Sequence, residues 1–341
     1  MTSMQHKFGA LDLIRAGLQD LDRARTLFDE LHNDGIDDDR MRLLLATLEK
    51  ACDPDIALSN LVDIIKVMQS QGKDFTNIIA DENSFVRLIT VLGVSDEMGK
   101  LMRFRPELVE AAANDACESH LYNHEQRRAH VLKSVGADPN DHTMPTASLP
   151  LAEAATALRK TYRKQLAAIM AQDATANDPI EIQPRISTEL SDLADAALEG
   201  ALAIARHEVD GSEHVRFAII GMGKLGAQEL NYVSDVDLIY VVDPADMDTN
   251  GMALSRIGTK MATTLQRVCQ SVIMGVAEPT LWQIDGGLRP EGKDGPLVRR
   301  LESHEAYYEQ WAENWEFQAL LKARPVAGDT DLGQAYMDMT R

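Results

Sequence analysis

The sequence has 341 residues, 45% of them hydrophobic, and its 34 Lys and Arg residues against 54 Asp and Glu residues give a formal net charge of -20. This length exceeds what a single hydrophobic core usually supports, so two packed units of a soluble globular protein are expected. The acidic balance excludes nucleic acid as the expected partner, because a phosphate backbone would be repelled, and favours a protein or small nucleotide substrate.

The cysteines and the hydropathy pattern indicate the compartment. The three cysteines are far apart and form no CxxC pair, so neither a disulfide framework nor a zinc ribbon is expected. Residues 1–10 are polar where a signal peptide needs an apolar run, and no later stretch approaches about 18 uninterrupted apolar residues. The sequence therefore predicts a protein of the reducing cytoplasm that neither spans nor enters a membrane.

The first half has helical periodicity. Its first apolar residues recur at intervals of three and four, which predicts that they share one face of a helix: Leu11, Ile14, Leu18 and Leu21. Asp53, followed by Pro54, predicts an N-cap and first helical position, opening a helix through Met68. Another helix is expected near Ser84–Leu92. The acidic run Asp37–Asp39 is expected to be solvated surface.

Loops and a change of pattern divide the rest of the chain. Residues 136–150 and 173–184 are rich in residues that favour turns, so both are predicted loops, and helical patterning resumes at Leu190–Ile204. Val215–Ile220 is a short apolar, partly β-branched run, as expected of a buried strand. We therefore predict a mainly helical region over 1–210 and a catalytic domain over 211–341.

The predicted strand leads into Gly221–Gly226, Gly-Met-Gly-Lys-Leu-Gly, which matches the dinucleotide fingerprint GxGxxG. Asp243, about 20 residues on, stands where a Rossmann domain places its ribose-binding acid. A parallel crossover needs about a dozen or more residues, however, and only about eight, 227–234, are available. A P-loop is excluded as well, because Leu225 follows Lys224 where Ser or Thr is required.

Two aspartates precede the next apolar run. Asp235 and Asp237 are two residues apart at the start of a predicted strand, so their side chains should project from the same face. Such a like-charged pair is costly in an apolar setting unless divalent cations neutralise it. Mg²⁺ prefers a few carboxylates together with substrate phosphate oxygens. Asp285 supplies a third carboxylate after a helical pattern over 252–272 and a short apolar run over 281–284.

A glycine turn after one strand, a D-x-D motif on the next and a third Asp on a later strand make up the polymerase-β-like nucleotidyltransferase pattern. The fold class expected from it is α+β, with a long helical N-terminal segment and a small mixed sheet flanked by helices. Glycines let backbone N–H groups approach phosphate oxygens closely. The alternative is that Asp235 and Asp237 merely cap a strand.

The residues of these motifs and their order closely resemble the signature of glutamine synthetase adenylyltransferases, also known as glutamate-ammonia-ligase adenylyltransferases. The strong resemblance covers residues 216–329. Its segments are Gly221–Gly226, Glu229–Asn231, Ser234–Leu238, Asp285, Leu288–Pro290, Gly292, Gly295–Val298, Tyr307–Tyr308, Trp315–Glu316, Gln318–Leu320 and Lys322–Arg324. Gly287 departs from the family, which usually has Arg at this position.

Members of this family are typically duplicated chains, with an N-terminal half that resembles an adenylyl-removing enzyme and a C-terminal half that adds the adenylyl group. The Met1 start, the long upstream helical region, Glu229–Asn231 and Gly295–Val298 are similar to the N-terminal, removing half. The chain ends at Arg341, soon after the motifs, and in this respect it is similar to a truncated family member that lacks the next helical region.

The predicted site follows from this chemistry and this resemblance. The predicted catalytic residues and metal ligands are Asp235, Asp237 and Asp285, and the predicted nucleotide- or phosphate-binding residues are Gly221, Gly223, Lys224, Ser234, Arg289, Lys322 and Arg324. Lys322 and Arg324 have two possible roles, because cations near the end of an apolar helix either complement its dipole or reach substrate phosphates.

The resemblance implies metal-dependent phosphorolysis of adenylyl-tyrosine on glutamine synthetase, giving ADP and the unmodified enzyme, with Mg²⁺ or Mn²⁺ as cofactor. The implied partners are glutamine synthetase, a P-II nitrogen-signalling protein, phosphate and an adenine nucleotide. Adenylyl transfer from ATP and a catalytically silent chain that only docks one of these proteins remain open.

Other conspicuous side chains are expected to be structural. His120 and His124 are four residues apart, but the residue after His120 is Leu121 and not the Glu of an HExxH motif, so surface or hydrogen-bonded histidines are expected. Tyr308, Trp311 and Trp315 have helical spacing, which predicts a buried aromatic stripe and not an adenine platform.

Overall fold

A computed structural model describes residues 8–73, 75–113, 122–245 and 251–340. Within these ranges the chain forms sixteen α-helices and one five-stranded sheet, which confirms the predicted α+β class. The chain divides into two compact units: Met1–Leu121 with Arg163–Gln183, and Tyr122–Tyr162 with Pro184–Arg341. None of the helices in the described ranges combines the length and the apolarity that crossing a membrane requires.

The first unit is helical. Its complete helices are α1 (Ala10–Arg15), α2 (Leu21–Asn33), α3 (Asp38–Leu48), α4 (Pro54–Ser70), α5 (Thr76–Ala80), α6 (Glu82–Val94), α7 (Asp96–Phe104) and α8 (Glu107–Ala113). Most begin with a side chain that accepts a backbone N–H three residues on, as at Asp20, Asp37, Asp53, Asp81 and Ser95. The helix predicted from Asp53 and that predicted near Ser84–Leu92 are thus confirmed as α4 and α6.

The helical face predicted from Leu11 is wrong. Leu11 is 70% exposed and Ile14 is 55% exposed, whereas Leu13 and Leu18 are buried. The reason is a turn, because α1 ends at Arg15 and α2 begins only at Leu21. Apolar spacing that continues across a turn no longer reports a single helical face.

The second unit contains the sheet. Its helices are α9 (His124–Ser134), α10 (Leu151–Ala174), α11 (Pro179–Glu208), α12 (Gly223–Gly226), α13 (Gly251–Gln270), α14 (Leu301–Gln310), α15 (Asn314–Leu320) and α16 (Thr330–Met339), and the division between the units falls within α10 and within α11. Its strands are β1 (Val215–Gly221), β2 (Val236–Pro244), β3 (Ile284–Asp285), β4 (Val298–Arg300) and β5 (Arg324–Gly328).

The structure agrees with one of the two predicted loops and shortens the other. Residues 136–150 connect α9 and α10 without regular structure, as predicted. The predicted loop over 173–184 is too long, because α11 begins at Pro179 and includes Pro184. The buried stretch of α11 from Ile186 onward supplies packing that outweighs the backbone hydrogen bond lost at that proline. The division at 210 stays a prediction; it coincides with the transition from helices to the sheet.

The sheet has the order β3-β2-β1-β5, and β4 pairs with the far end of β2. Strand β1 is antiparallel to β2 and to β5, whereas β2 is parallel to β3 and β4. The antiparallel pairing of β1 with β2 explains why a short connection suffices between them. A Rossmann unit, which needs a parallel crossover at this point, is therefore excluded.

The predicted aromatic stripe is only partly buried. Tyr308 packs against the core cluster formed by β1, β2 and α16, but Trp311 is 73% exposed and Trp315 is 47% exposed. The prediction fails because α14 ends at Gln310 and α15 begins at Asn314, so the three residues do not lie on one helix.

Asp329 connects β5 to α16 and to β1. Its carboxylate accepts hydrogen bonds from Arg216 Nε at 2.7 Å and Nη2 at 2.8 Å, and from the backbone N–H of Leu332 at 2.8 Å. Burial alone would raise the pKa of Asp329, but the hydrogen bonds from Arg216 and the helix start outweigh it and lower that pKa below 3.8.

We expect Asp329→Ala to lower the free energy of unfolding by about 1–3 kcal/mol at neutral pH, because it removes a helix cap and a charge-assisted pair. The stabilisation by ionised Asp329 is present above the unfolded-state pKa of 3.8 and is lost as the pH falls through the lower folded-state pKa. The difference in stability between the parent and Asp329→Ala should therefore shrink in acid. Urea titrations at several pH values measure it. Asp331→Ala, on the same helix, is the control, and equal effects of both variants would contradict the assignment.

Candidate active site

Three carboxylates meet at one end of the sheet. Asp235 directly precedes β2, Asp237 is the second residue of β2, and Asp285 ends β3. One carboxylate oxygen from each lies within 4.8 Å of those of the other two. Asp235 is exposed, whereas Asp237 and Asp285 are half-buried, so the cluster opens to solvent on one side.

The strand pairing brings these residues together. Asp237 and Asp285 are register partners in the parallel pair of β2 and β3. Short contacts fix β3, because Ile284 donates its N–H to Gln270 Oε1 at 2.7 Å and Gly287 donates its N–H to Asp285 Oδ1 at 2.7 Å. Gly287, the position that departs from the family, thus orients the third carboxylate through its backbone.

The electrostatics of the cluster are compatible with a bound cation. Burial raises the pKa of Asp237, and the negative charges of Asp235 and Asp285 raise it further, while the Lys224 ammonium acts in the opposite direction. A divalent cation would remove this repulsion, and carboxylate oxygens are the ligands that Mg²⁺ and Mn²⁺ prefer. The donor set therefore fits such an ion, with Asp235, Asp237 and Asp285 as its ligands.

The glycine turn approaches these carboxylates from β1. Gly223 has a positive φ of 54°, and a Cβ at this position would lie 2.5 Å from Asp237 Oδ2, so only glycine allows this approach. The backbone N–H of Met222 donates to the Asp237 carbonyl oxygen at 2.9 Å. Lys224 follows on the one-turn helix α12 and is exposed. Gly223 and Lys224 therefore lie beside the carboxylates, whereas Gly221 is buried and a Cβ there would meet Val326 and Leu225.

Ser234 and Arg289 also lie in the segments that adjoin the cluster. Ser234 directly precedes Asp235 and is half-buried. Arg289 organises the loop after Asp285, because its guanidinium donates to the carbonyl oxygens of Gly286 at 2.6 Å and Gly295 at 3.1 Å. The phosphate-binding role of both stays a prediction.

The two cations after α15 have other partners. Lys322 Nζ lies 2.7 Å from Glu229 Oε2 at the surface. Arg324 Nη1 donates to Asp195 Oδ2 at 2.5 Å, and its Nη2 donates to the carbonyl oxygen of Leu225 at 3.1 Å. The structure thus places Arg324 against the back of α12, and contact of Lys322 or Arg324 with substrate phosphates stays a prediction.

Comparison with known proteins decides the family. Residues 85–339 match the family model described as glutamate-ammonia ligase adenylyltransferase. The chain belongs to this family. The resemblance noted in its motifs is confirmed.

The adenylyltransferase relatives match most or all of the chain but are much longer. The chain is 72% identical over 341 residues to the "Bifunctional glutamine synthetase adenylyltransferase/adenylyl-removing enzyme" of Bifidobacterium longum, with 100% of the chain and 32% of the relative covered. A protein of the same name from Cutibacterium acnes is 40% identical over 330 residues, which covers 96% of the chain and 33% of the relative. Another from Corynebacterium glutamicum is 38% identical over 330 residues, which covers 86% of the chain and 30% of the relative. The chain spans about a third of the length of these adenylyltransferases.

A second group of possible metal ligands lies away from this site in the described part of the chain. His124, Asp192 and Asp195 have ligand atoms within 4.8 Å of one another. Arg324 already pairs with the buried Asp195, and a hydrogen bond to Asp195 raises the pKa of His124. His124 is thus hydrogen-bonded, as expected; His120 lies outside the described residues.

Sequence reasoning missed two residues that support the candidate site. Gln270, the last residue of α13, holds β3, and nothing in its local sequence marks it. Asp195 had a signal, because it and Glu199 are the two acidic residues in the otherwise apolar run Leu193–Ala205 of α11, where a buried carboxylate needs a specific partner.

Proposed function

We propose that the chain removes the adenylyl group from glutamine synthetase, by phosphorolysis of an adenylyl-tyrosine bond that yields ADP and the unmodified enzyme. The observation that supports it most is the convergence of Asp235, Asp237 and Asp285 beside the turn that contains Lys224. The printed name of the relatives, which includes an adenylyl-removing activity, agrees with it.

In this proposal Asp235, Asp237 and Asp285 hold the divalent cation, which supplies charge neutralisation and orientation for the phosphate groups. Lys224 is exposed beside Asp237 and provides a positive charge for a phosphate oxygen. We place the substrate phosphates beside the backbone at Gly223, where the turn comes closest to Asp237.

The bond changes balance without a dedicated acid. An oxygen of inorganic phosphate forms a bond to the adenylyl phosphorus, and the bond from that phosphorus to the tyrosyl oxygen breaks. The phenolate leaves with the electron pair and takes a proton from solvent. A phenol has an ordinary pKa of about 10, so its anion leaves far more readily than an alkoxide.

The direction of the reaction rests on the resemblance to the removing half of the family. The proposal includes the cytoplasm as compartment and a P-II protein as a regulatory partner. Adenylyl transfer from ATP to glutamine synthetase is the second candidate, because the relatives' name includes both activities and the same carboxylates would serve either direction.

The test uses adenylylated glutamine synthetase, the chain, Mg²⁺ or Mn²⁺, and phosphate, with ADP formation followed over time. We expect ADP to form only when the cation and phosphate are both present. A parallel reaction with ATP and unmodified synthetase, followed by pyrophosphate release, measures the opposite direction. Folded protein that forms pyrophosphate but no ADP would refute the proposal in favour of adenylyl addition.

A parallel pull-down with glutamine synthetase and a P-II protein distinguishes a docking module. Retention of either protein by a chain that forms neither ADP nor pyrophosphate would identify a catalytically silent module. If the chain shows neither binding nor turnover, it has no role in this regulation.

A further inference from the structure

The phosphate-binding turn, defined as Gly221–Gly226, is tied to α11 through Arg324. The guanidinium donates from Nη2 to the carbonyl oxygen of Leu225 at 3.1 Å and from Nε to that of Gly226 at 3.3 Å. On its other side it donates from Nη1 and Nη2 to the two carboxylate oxygens of Asp195, at 2.5 Å and 3.2 Å. The Asp195 side chain is fully buried.

We propose that Asp195 is a positioning residue, which acts through Arg324 to fix the phosphate-binding turn, and with it Lys224, against the catalytic carboxylates. This inference rests on the proposed function and adds a residue to it. A guanidinium presents its donors in a rigid planar fork, so a bidentate carboxylate on one side sets the direction of the donors on the other.

Neighbouring contacts extend the same anchorage along the chain. Gln228 Nε2 donates to Asp192 Oδ1 at 3.2 Å, and the N–H of Leu230 donates to Ser191 Oγ at 3.4 Å. Side chains of one stretch of α11 thus hold the chain from the end of the phosphate-binding turn to Leu230. A displacement at Arg324 would therefore reach Lys224 and the start of the segment that leads to Asp235.

The alternative, drawn from the sequence, is that Arg324 binds a substrate phosphate directly. The two roles predict opposite results. If Arg324 binds phosphate, Arg324→Lys keeps the charge and mainly raises KM for phosphate, and Asp195→Asn frees the guanidinium and leaves kcat unchanged. If Arg324 positions the turn, lysine cannot reproduce the fork and both substitutions lower kcat.

The experiment compares Asp195→Asn, Arg324→Lys and the double variant in the phosphorolysis assay. We expect each single variant to lose about 10²-fold in kcat, the scale expected of a misplacement near 1 Å. The double variant should lose about as much as either single one, because both act through one pair. Parental kcat values with a raised KM for phosphate in Arg324→Lys would overturn the proposal.

Glu199→Gln is the matched control. Glu199 is also a buried carboxylate of α11, one turn after Asp195, and it accepts the N–H of Gly328 at 2.7 Å. It therefore holds the far end of β5 without contacting the phosphate-binding turn, and its variant should keep a kcat close to the parental value. A loss equal to that of Asp195→Asn would show a general effect of the α11 contacts and overturn the proposal.

Hydrogen exchange gives a readout that does not depend on turnover. The N–H of Gly226 donates to Met222 O at 3.0 Å, and that of Glu229 donates to Lys224 O at 2.8 Å. Asp195→Asn and Arg324→Lys should accelerate exchange at these amides, with β1 amides unchanged as the folding reference, and Glu199→Gln should not. Unchanged exchange would overturn the proposal, even if the parent chain proves inactive in phosphorolysis.

Discussion

Asp237→Asn is expected to lower the rate of phosphorolysis by at least about 10³-fold, because it removes a proposed metal ligand and its charge from the site where we place the developing phosphate charge. The metal-free variant should nevertheless unfold at the same temperature as the parent or a higher one. In the parent, Asp237 is a half-buried carboxylate beside Asp235 and Asp285, and its ionised form is costly in the folded state. Asp235→Asn should show the same combination.

The pH dependence of this difference follows from the raised pKa of Asp237. Protonated Asp237 contributes stability that is fully present below the unfolded value, 3.8, and is lost as the pH rises through the higher folded-state pKa. The stability advantage of Asp237→Asn over the metal-free parent should thus be present at neutral pH and disappear in acid. Mg²⁺ with nucleotide should raise the melting temperature of the parent and change that of the variant little.

Asp243→Asn is the matched control for these melts and assays. Asp243 lies on the same strand, its pKa is raised mainly by burial, and its carboxylate is 3.7 Å from Arg300 at the far end of β2. Its variant should retain turnover and metal-dependent stabilisation. If Asp235→Asn and Asp237→Asn also keep both, these aspartates are strand caps and the nucleotidyltransferase site must be abandoned.

Gly226→Ala is expected to cause the largest loss of stability among single glycine substitutions in the turn. A Cβ at Gly226 would lie 1.8 Å from the Lys322 carbonyl oxygen and 2.5 Å from that of Gly221. Both oxygens belong to the backbone: Gly221 ends β1, and Lys322 lies two residues before β5, which pairs with β1. Neither oxygen can therefore rotate away as a side-chain atom could. We expect a destabilisation of about 3 kcal/mol or more, and a displaced phosphate-binding turn with little activity.

Gly251→Ala is the control for this prediction. It lies at the start of α13, and a Cβ there would meet nothing within 4 Å. This variant should be neutral or stabilised by up to about 1 kcal/mol, because alanine favours a helix and restricts the unfolded chain. Urea titrations measure both variants, and equal midpoints and slopes for Gly226→Ala and the parent would contradict the close approach.

Local signals were sufficient for the elements that define the site. The apolar run before Gly221 predicted β1, and the D-x-D motif predicted two carboxylates on one face of β2, because strand period and cap chemistry are short-range properties. The glycine turn was predictable for a similar reason, since Gly223 has a backbone conformation that other residues rarely adopt. These signals identified the family, and the three carboxylates that we propose as cation ligands are the part of the site predicted from the sequence itself.

Long-range partners were not predictable from the sequence. The charge of Arg324 and the family motif predict a phosphate contact, whereas its partner Asp195 lies 129 residues away and has no local signal that links the two. The same holds for Arg289, whose backbone acceptors depend on how the loop after Asp285 closes. The first helical face failed for a different reason, since Gly17, with a φ of 83°, interrupts a spacing that looked continuous.

The most direct test of the account follows inorganic phosphate carrying a radioactive label in a reaction with adenylylated glutamine synthetase. If Asp235, Asp237 and Asp285 promote attack of phosphate on the adenylyl group, the label must appear in the β-phosphate of ADP with the parent chain and with Asp243→Asn. It must be absent with Asp237→Asn. Labelled ADP formed at the parental rate by Asp237→Asn, or release of unlabelled AMP without labelled ADP by the parent, would contradict the account.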